Sequence, residues 1–173
     1  VLDYGAVADG AWTGAAATGT DNLAFFNAAL ASGARYVLVP KGVYRLSAKL
    51  TIPRGVILCG EGTAHLPIFL GGTVTGSVLL IEAASGNDCV AIAENTGHGG
   101  LETISVYNVG STTGRAVLSV VGVLYPRLTR LEIASLKKST GAGLYISASA
   151  SGAQFETLWG EFDGVVVAGT NVG

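Results

Sequence analysis

Methionine is absent, cysteine occurs twice, and only 13% of the 173 residues are charged. Each scarcity narrows what the chain can be. Cys59 and Cys89 both sit in apolar, strand-like runs, so they form no disulfide framework and read as buried free thiols. A formal net charge of −2 supplies no basic field for collecting phosphates, which excludes nucleic acid as the main partner. No apolar run approaches the ~20 residues that span a bilayer. The start, Val1-Leu2-Asp3-Tyr4, lacks the charged and apolar regions of a signal peptide, so no membrane insertion is expected. His65 and His98 have no cysteine or paired carboxylate at ligand spacing, which predicts no metal and no cofactor. There is neither a phosphate-binding loop nor a glycine-rich helix start. The missing methionine and the opening on Val1 suggest a piece of a longer polypeptide.

Glycine and apolar residues are abundant instead: 26 glycines, with 49% of the chain hydrophobic. Such a chain buries much apolar surface while turning often, which many short strands accomplish best. Residues 5–19 are almost all Ala, Gly, Thr and Asp and read as a loop. Thr20-Asp21-Asn22 then offers side-chain oxygens to the unpaired N–H groups of a first helical turn. Leu23, Phe26 and Leu30 form one apolar stripe, and Ser32-Gly33 ends the predicted helix. Beyond it come short β-branched runs, Tyr36-Val-Leu-Val39, Gly42-Val-Tyr-Arg-Leu46, Leu50-Thr-Ile52 and Gly55-Val-Ile-Leu-Cys59, punctuated by Pro40, Pro53 and glycines. Gly97-His-Gly-Gly100 reads as a glycine-rich turn, and Lys137-Lys138 as a solvated one.

Laying the chain over itself reveals a recurrence every 27 residues. Leu101-Glu-Thr-Ile104 aligns with Leu128-Thr-Arg-Leu131 and then with Phe155-Glu-Thr-Leu158; Val90, Val117 and Leu144 form a second column. A repeat of this length with several strands predicts a parallel β-helix, each coil stacking on the next. Leucine-rich repeats would need an asparagine ladder that is missing, and a sandwich or jelly roll gives no reason for a fixed recurrence.

Asp3-Tyr4-Gly5-Ala6, Asp9-Gly10, Thr20-Asp21-Asn22, Tyr36-Val-Leu-Val-Pro-Lys-Gly-Val-Tyr44 and Leu50-x-Ile-Pro-x-Gly-Val-x-Leu-x-Gly60-Glu-Gly62 together resemble the N-terminal region of the pectate-lyase-like superfamily. That family includes bacteriophage tailspike depolymerases, polysaccharide lyases and glucanases. The resemblance implies an all-β fold, a right-handed single-stranded parallel β-helix (solenoid) with an N-terminal capping α-helix. Residues 1–173 would form one domain, with an opening loop and capping helix over 1–34 and coils over 35–173. These motifs are folding signatures: Asp3, Asp21 and Glu61 read as a turn acceptor, a helix cap and a loop carboxylate.

For chemistry, strand alternation puts Trp159, Glu161 and Asp163 on one outward face if Leu158, Gly160 and Phe162 point inward. Carboxylates at i and i+2 lie ~7 Å apart, inside the ~5 to 9.5 Å range of glycosidase pairs. Glu161 and Asp163 are therefore the candidate catalytic residues. Stacking at 27 residues sets Glu132 and Ser105 beneath Trp159, and Tyr107 beneath Glu161, which makes Trp159, Glu132 and Tyr107 candidate substrate-binding residues for sugar rings and hydroxyls. The expectation is a tailspike-like homotrimer, in a virion or secreted, that binds and depolymerises a bacterial surface polysaccharide. Outward Val109 and Leu136 would suit burial between its subunits. The alternative is a non-catalytic β-helix stem, structural or glycan-binding, of a tail fibre or secreted protein.

Overall fold

The computed structural model describes residues 1–64, 73–84, 86–93, 96–110, 116–137, 141–147 and 161–168. A 3₁₀ turn at Leu2–Tyr4 leads into a two-stranded antiparallel hairpin, β1 (Ala11–Trp12) and β2 (Ala17–Thr18), within the segment predicted as a loop. Helix α1 (Leu23–Leu30) follows, and Phe26, Ala29 and Leu30 are its buried face.

The helix begins where the sequence supplies polar anchors. The Asp21 carboxylate accepts the Leu23 N–H (3.2 Å), the Ser47 N–H (3.0 Å) and the Ser47 hydroxyl (2.5 Å). Burial pushes the Asp21 carboxyl up, and these hydrogen bonds, with Arg45 nearby, outweigh it and leave the group below its ordinary value. Asn22 is fully buried. Its amide accepts from Val7 N–H (2.7 Å) and donates to the carbonyls of Val7, Thr20 and Arg45 (3.0, 2.9 and 3.4 Å). One side chain thus ties the N-terminal segment, the helix start and a strand together. Glu61 accepts the Lys41 N–H at 2.8 Å, as a loop carboxylate should.

Among the described residues eleven further strands follow: β3 (Tyr36–Val39), β4 (Gly42–Leu46), β5 (Leu50–Ile52), β6 (Ile57–Gly60), β7 (Ser77–Ile81), β8 (Val90–Ile92), β9 (Thr96–Asn108), β10 (Ala116–Val121), β11 (Val123–Ser135), β12 (Ala142–Ser147) and β13 (Glu161–Ala168). Every pairing among them is parallel. One sheet runs β12-β10-β8-β5; a second runs β13-β11-β9-β6-β3, with β7 joining β9 and β4 joining β7. The glycines of Gly97-His-Gly-Gly100 lie in β9, not in a turn. A β-carbon on Gly99 would come within 2.8 Å of Ile92, and one on Gly100 would strike the Arg127 carbonyl, so side chains are excluded there by packing.

This arrangement corrects the expected architecture. The chain is mostly strand (55%, with 8% helix) and its sheets are parallel, but they are separate sheets and not the single-stranded right-handed β-helix solenoid. The registers also depart from a constant coil. Leu101 lies beside Leu128 as the 27-residue recurrence predicts, yet Leu128 lies beside Phe162 and not Phe155, which falls outside the described residues. In the smaller sheet Val90 and Leu144 both flank Leu118, one position beyond the predicted Val117.

The main core lies between the two large sheets. Leu50, Ile52, Val90, Ile92, Leu118 and Val120 from one meet Leu58, Leu101, Leu128, Leu79, Ile81, Val106 and Ile133 from the other, and α1 adds Phe26 and Leu30. Each such side chain contributes roughly 1.5–3 kcal/mol on burial. Phe26 meets Tyr44 edge-on, with ring centroids 5.6 Å apart. A second cluster covers the opposite face of the larger sheet, where Val43, Val78, Leu80, Tyr107, Val109 and Ala134 lie under Trp12, Ala17 and Ala64. Val109 is therefore buried in this cluster, and Leu136 is half-buried against it, so neither is left fully outward.

Three adjacent strands share a left-handed backbone step. Thr103 (φ 53°), Arg130 (φ 49°) and Gly164 (φ 59°) occupy the same register, and Arg130 Nε donates to Thr103 Oγ1 at 3.0 Å. For Thr and Arg this conformation costs roughly 1 kcal/mol or more each. The step separates the two arms of these strands, one facing solvent and the other covered by the second cluster.

Candidate functional site

The solvent-facing arm of the larger sheet gathers its functional side chains by register. Alternation sends Leu101, Leu128 and Phe162 one way and their neighbours the other. Across the strands, the outward rows read His98 and Tyr125; then Tyr36, Ile57, Gly100, Arg127 and Glu161; then Leu38, Cys59, Glu102, Thr129 and Asp163. Aromatic, cationic and acidic groups thus share one face.

The His98 and Tyr125 rings stack at 4.9 Å with an interplanar angle of 17°, and Tyr125 is half exposed. Arg35 lies 5.8 Å over the Tyr36 ring. Arg127 stands between two carboxylates: its Nε is 3.1 Å from Glu161 Oε2 and in direct contact with Glu102 Oε1. Glu161 is mostly exposed, whereas Glu102 is largely covered. The Cys59 thiol donates to Glu102 Oε2 at 3.5 Å. Burial, with the charge and hydrogen bond of Glu102, pushes Cys59 up to about 12 against the opposing pull of Arg127. It stays a thiol near neutral pH, a donor that orients Glu102, because the nucleophilic form is the thiolate. Cys89, buried in the core, is likewise pushed up to about 12 by desolvation.

Arg35, Ile57, His98, Tyr125, Arg127 and Glu161 line a groove of about 190 Å³. It adjoins a wider cleft of about 710 Å³ between the end of α1 and the Pro53-Arg54-Gly55 turn, with Arg35, Gly55 and His98 common to both. Backbone bonds fix this junction: Gly55 N–H donates to His98 carbonyl (2.8 Å) and Ile57 N–H to Arg35 carbonyl (2.8 Å). Gly55 takes φ 78°, a turn geometry that suits glycine.

Glu161 and Asp163 both lie exposed on this face, beside Arg127 and Thr129. Trp159 lies outside the described residues. Glu132 and Tyr107 are elsewhere. They sit beyond the left-handed step, on the covered arm, at 4% and 0% exposure, and Ser105 donates to Glu132 Oε2 at 3.3 Å. Glu132 does pair with Ser105 and Ala134 with Tyr107, but β13 brings Val166 and Ala168 to them in place of Trp159 and Glu161. The structure does not join these two residues to Glu161, and burial removes them from contact with a sugar. Sequence reasoning missed Arg127, Glu102, His98 and Tyr125. The 27-residue offset carries His98 onto Tyr125 and Gly100 onto Arg127, so the signal was present in the repeat.

Comparison with protein-family models, with curated proteins and with solved structures returned no match. Among the described residues, no three His, Cys, Asp or Glu side chains cluster as metal ligands, and no helix is long and apolar enough to cross a membrane. The functional reading therefore rests on the face itself.

Proposed function

We propose that this protein binds a bacterial surface polysaccharide along the outward face of its larger sheet, as part of a tailspike-like depolymerase, in a virion or secreted. The observation that carries the reading is the half-exposed His98–Tyr125 stack beside Arg127 and Glu161 in one groove. Sugar rings present apolar C–H faces that lie against aromatic rings, while their hydroxyls bond to guanidinium and carboxylate groups at the ring edge. Both kinds of partner are present within one register row of each other. Glu161 and Asp163 remain the pair proposed for cleavage, since they project together and a protonated partner could serve a leaving oxygen. Assembly as a homotrimer belongs to the same proposal.

A rival reading, a non-catalytic stem, draws on the Glu102–Arg127–Glu161 ion pairs, which would serve as cross-strand stabilisation alone. Affinity electrophoresis through gels containing bacterial capsule or O-antigen preparations separates the two. Tyr125→Ala is expected to weaken retention about 10-fold or more, in line with the ~1.4 kcal/mol such a factor represents, with an unchanged melting temperature. Equal retention of variant and parent protein counts against the groove, and release of reducing ends or of unsaturated products identifies cleavage and its type.

A further inference from the structure

The wide cleft beside the aromatic groove points to the class of glycan. Its volume of about 710 Å³ falls inside the ~300–1,000 Å³ of ligand pockets. Two arginines, Arg35 and Arg54, line it, together with Asn27, Thr51 and His98, and none of the described residues that line it is acidic. Both arginines lie on exposed backbone segments, Arg35 ahead of β3 and Arg54 at the tip of the turn between β5 and β6. In a chain whose formal net charge is −2 this is a local reversal of sign. The C-terminal end of α1 also borders the cleft through Leu30 and Ala31. Its carbonyls carry about half a negative charge, which two full guanidinium charges outweigh. In the neighbouring groove Arg127 is already matched by Glu102 and Glu161, so its charge is spent within the protein.

We infer that the polysaccharide is an acidic one, and that Arg35 and Arg54 receive a carboxylate-bearing sugar in this cleft while the adjoining unit stacks on Tyr125. Guanidinium groups bind carboxylates through paired N–H donors, and such charge-assisted bonds are stronger than those to neutral hydroxyls. The inference rests on the proposed glycan-binding reading and deepens it. Arg54 touches only the cleft, whereas Arg35 spans cleft and groove, so Arg54 is the residue that tests acid selection by itself.

The test is a panel of acidic bacterial surface polysaccharides, each offered in native form and after chemical reduction of its carboxylates to alcohols. Binding of the full chain is measured at low and at physiological salt. The native polymer is expected to bind about 10-fold tighter than its reduced form, with the advantage shrinking as salt rises. Arg54→Gln is expected to cut that ratio to about threefold or less. Equal binding of native and reduced polymers, or a ratio untouched by Arg54→Gln, overturns the inference and leaves polysaccharide binding standing. Failure to bind any polymer in either form overturns both.

Discussion

Replacing Leu128 with alanine is expected to lower the stability of the fold by about 3–4 kcal/mol. Leu128 is fully buried, lies between Leu101 and Phe162 in adjacent parallel strands, and belongs to the main core. Removing three carbons from a site bounded by backbone on both sides leaves a cavity that the sheet cannot collapse, because its neighbours are pinned by inter-strand hydrogen bonds. Val166→Ala in β13 is the control, since Val166 is 55% exposed; its expected effect is within about 0.5 kcal/mol. Urea unfolding of both variants measures the difference. A Leu128→Ala loss below about 1 kcal/mol would mean that β9, β11 and β13 are not in this register.

Asn22→Ala is expected to cost about 3 kcal/mol, although only a small polar group is removed. The side chain is fully buried and bonds with both the N–H and the carbonyl of Val7 as well as with the carbonyls of Thr20 and Arg45. Alanine leaves the Val7 N–H and the Val7 and Thr20 carbonyls without this partner, while the Arg45 carbonyl keeps the backbone N–H of residue 22, so this side chain's tie between the N-terminal segment and β4 is lost and the backbone bond remains. Asn22→Asp discriminates between bonding and packing. An aspartate fills the same space and can accept from Val7, but it has no donors for three carbonyls and adds a buried charge. It is expected to be at least as damaging as alanine; a stable Asp variant would reduce the role of Asn22 to filling space.

These two residues also show what was legible in the sequence. The helix was, because an apolar stripe at Leu23, Phe26 and Leu30 and the polar step before it are local signals that the core then rewards. The pairing of Leu101 with Leu128 was legible from the recurrence. The third partner was not, since Phe155-Glu-Thr-Leu158 and Phe162-Asp-Gly-Val165 share the same apolar spacing. The distinguishing mark is Gly164, which takes the left-handed conformation that Thr103 and Arg130 adopt at the same register. A glycine is the residue for which that step is least costly. From the displaced register follow the failures at the site. Trp159 and Glu161 were expected over Glu132 and Tyr107, whereas Glu161 stands beside Arg127, and Glu132 and Tyr107 are buried on the covered arm. Nor was the division into separate sheets visible, because a repeat length fixes which strands are neighbours and leaves open how the chain passes from one sheet to another.

The most direct measurement of the glycan-binding face is an NMR titration of the isotopically labelled protein with oligosaccharide fragments of a retained polysaccharide, following aromatic ring signals. The Tyr125 and His98 rings are predicted to shift together with the Arg127 Nε–H signal, while the buried Tyr107 and Tyr44 rings stay in place. Saturable binding that leaves Tyr125 and His98 unmoved would contradict the account.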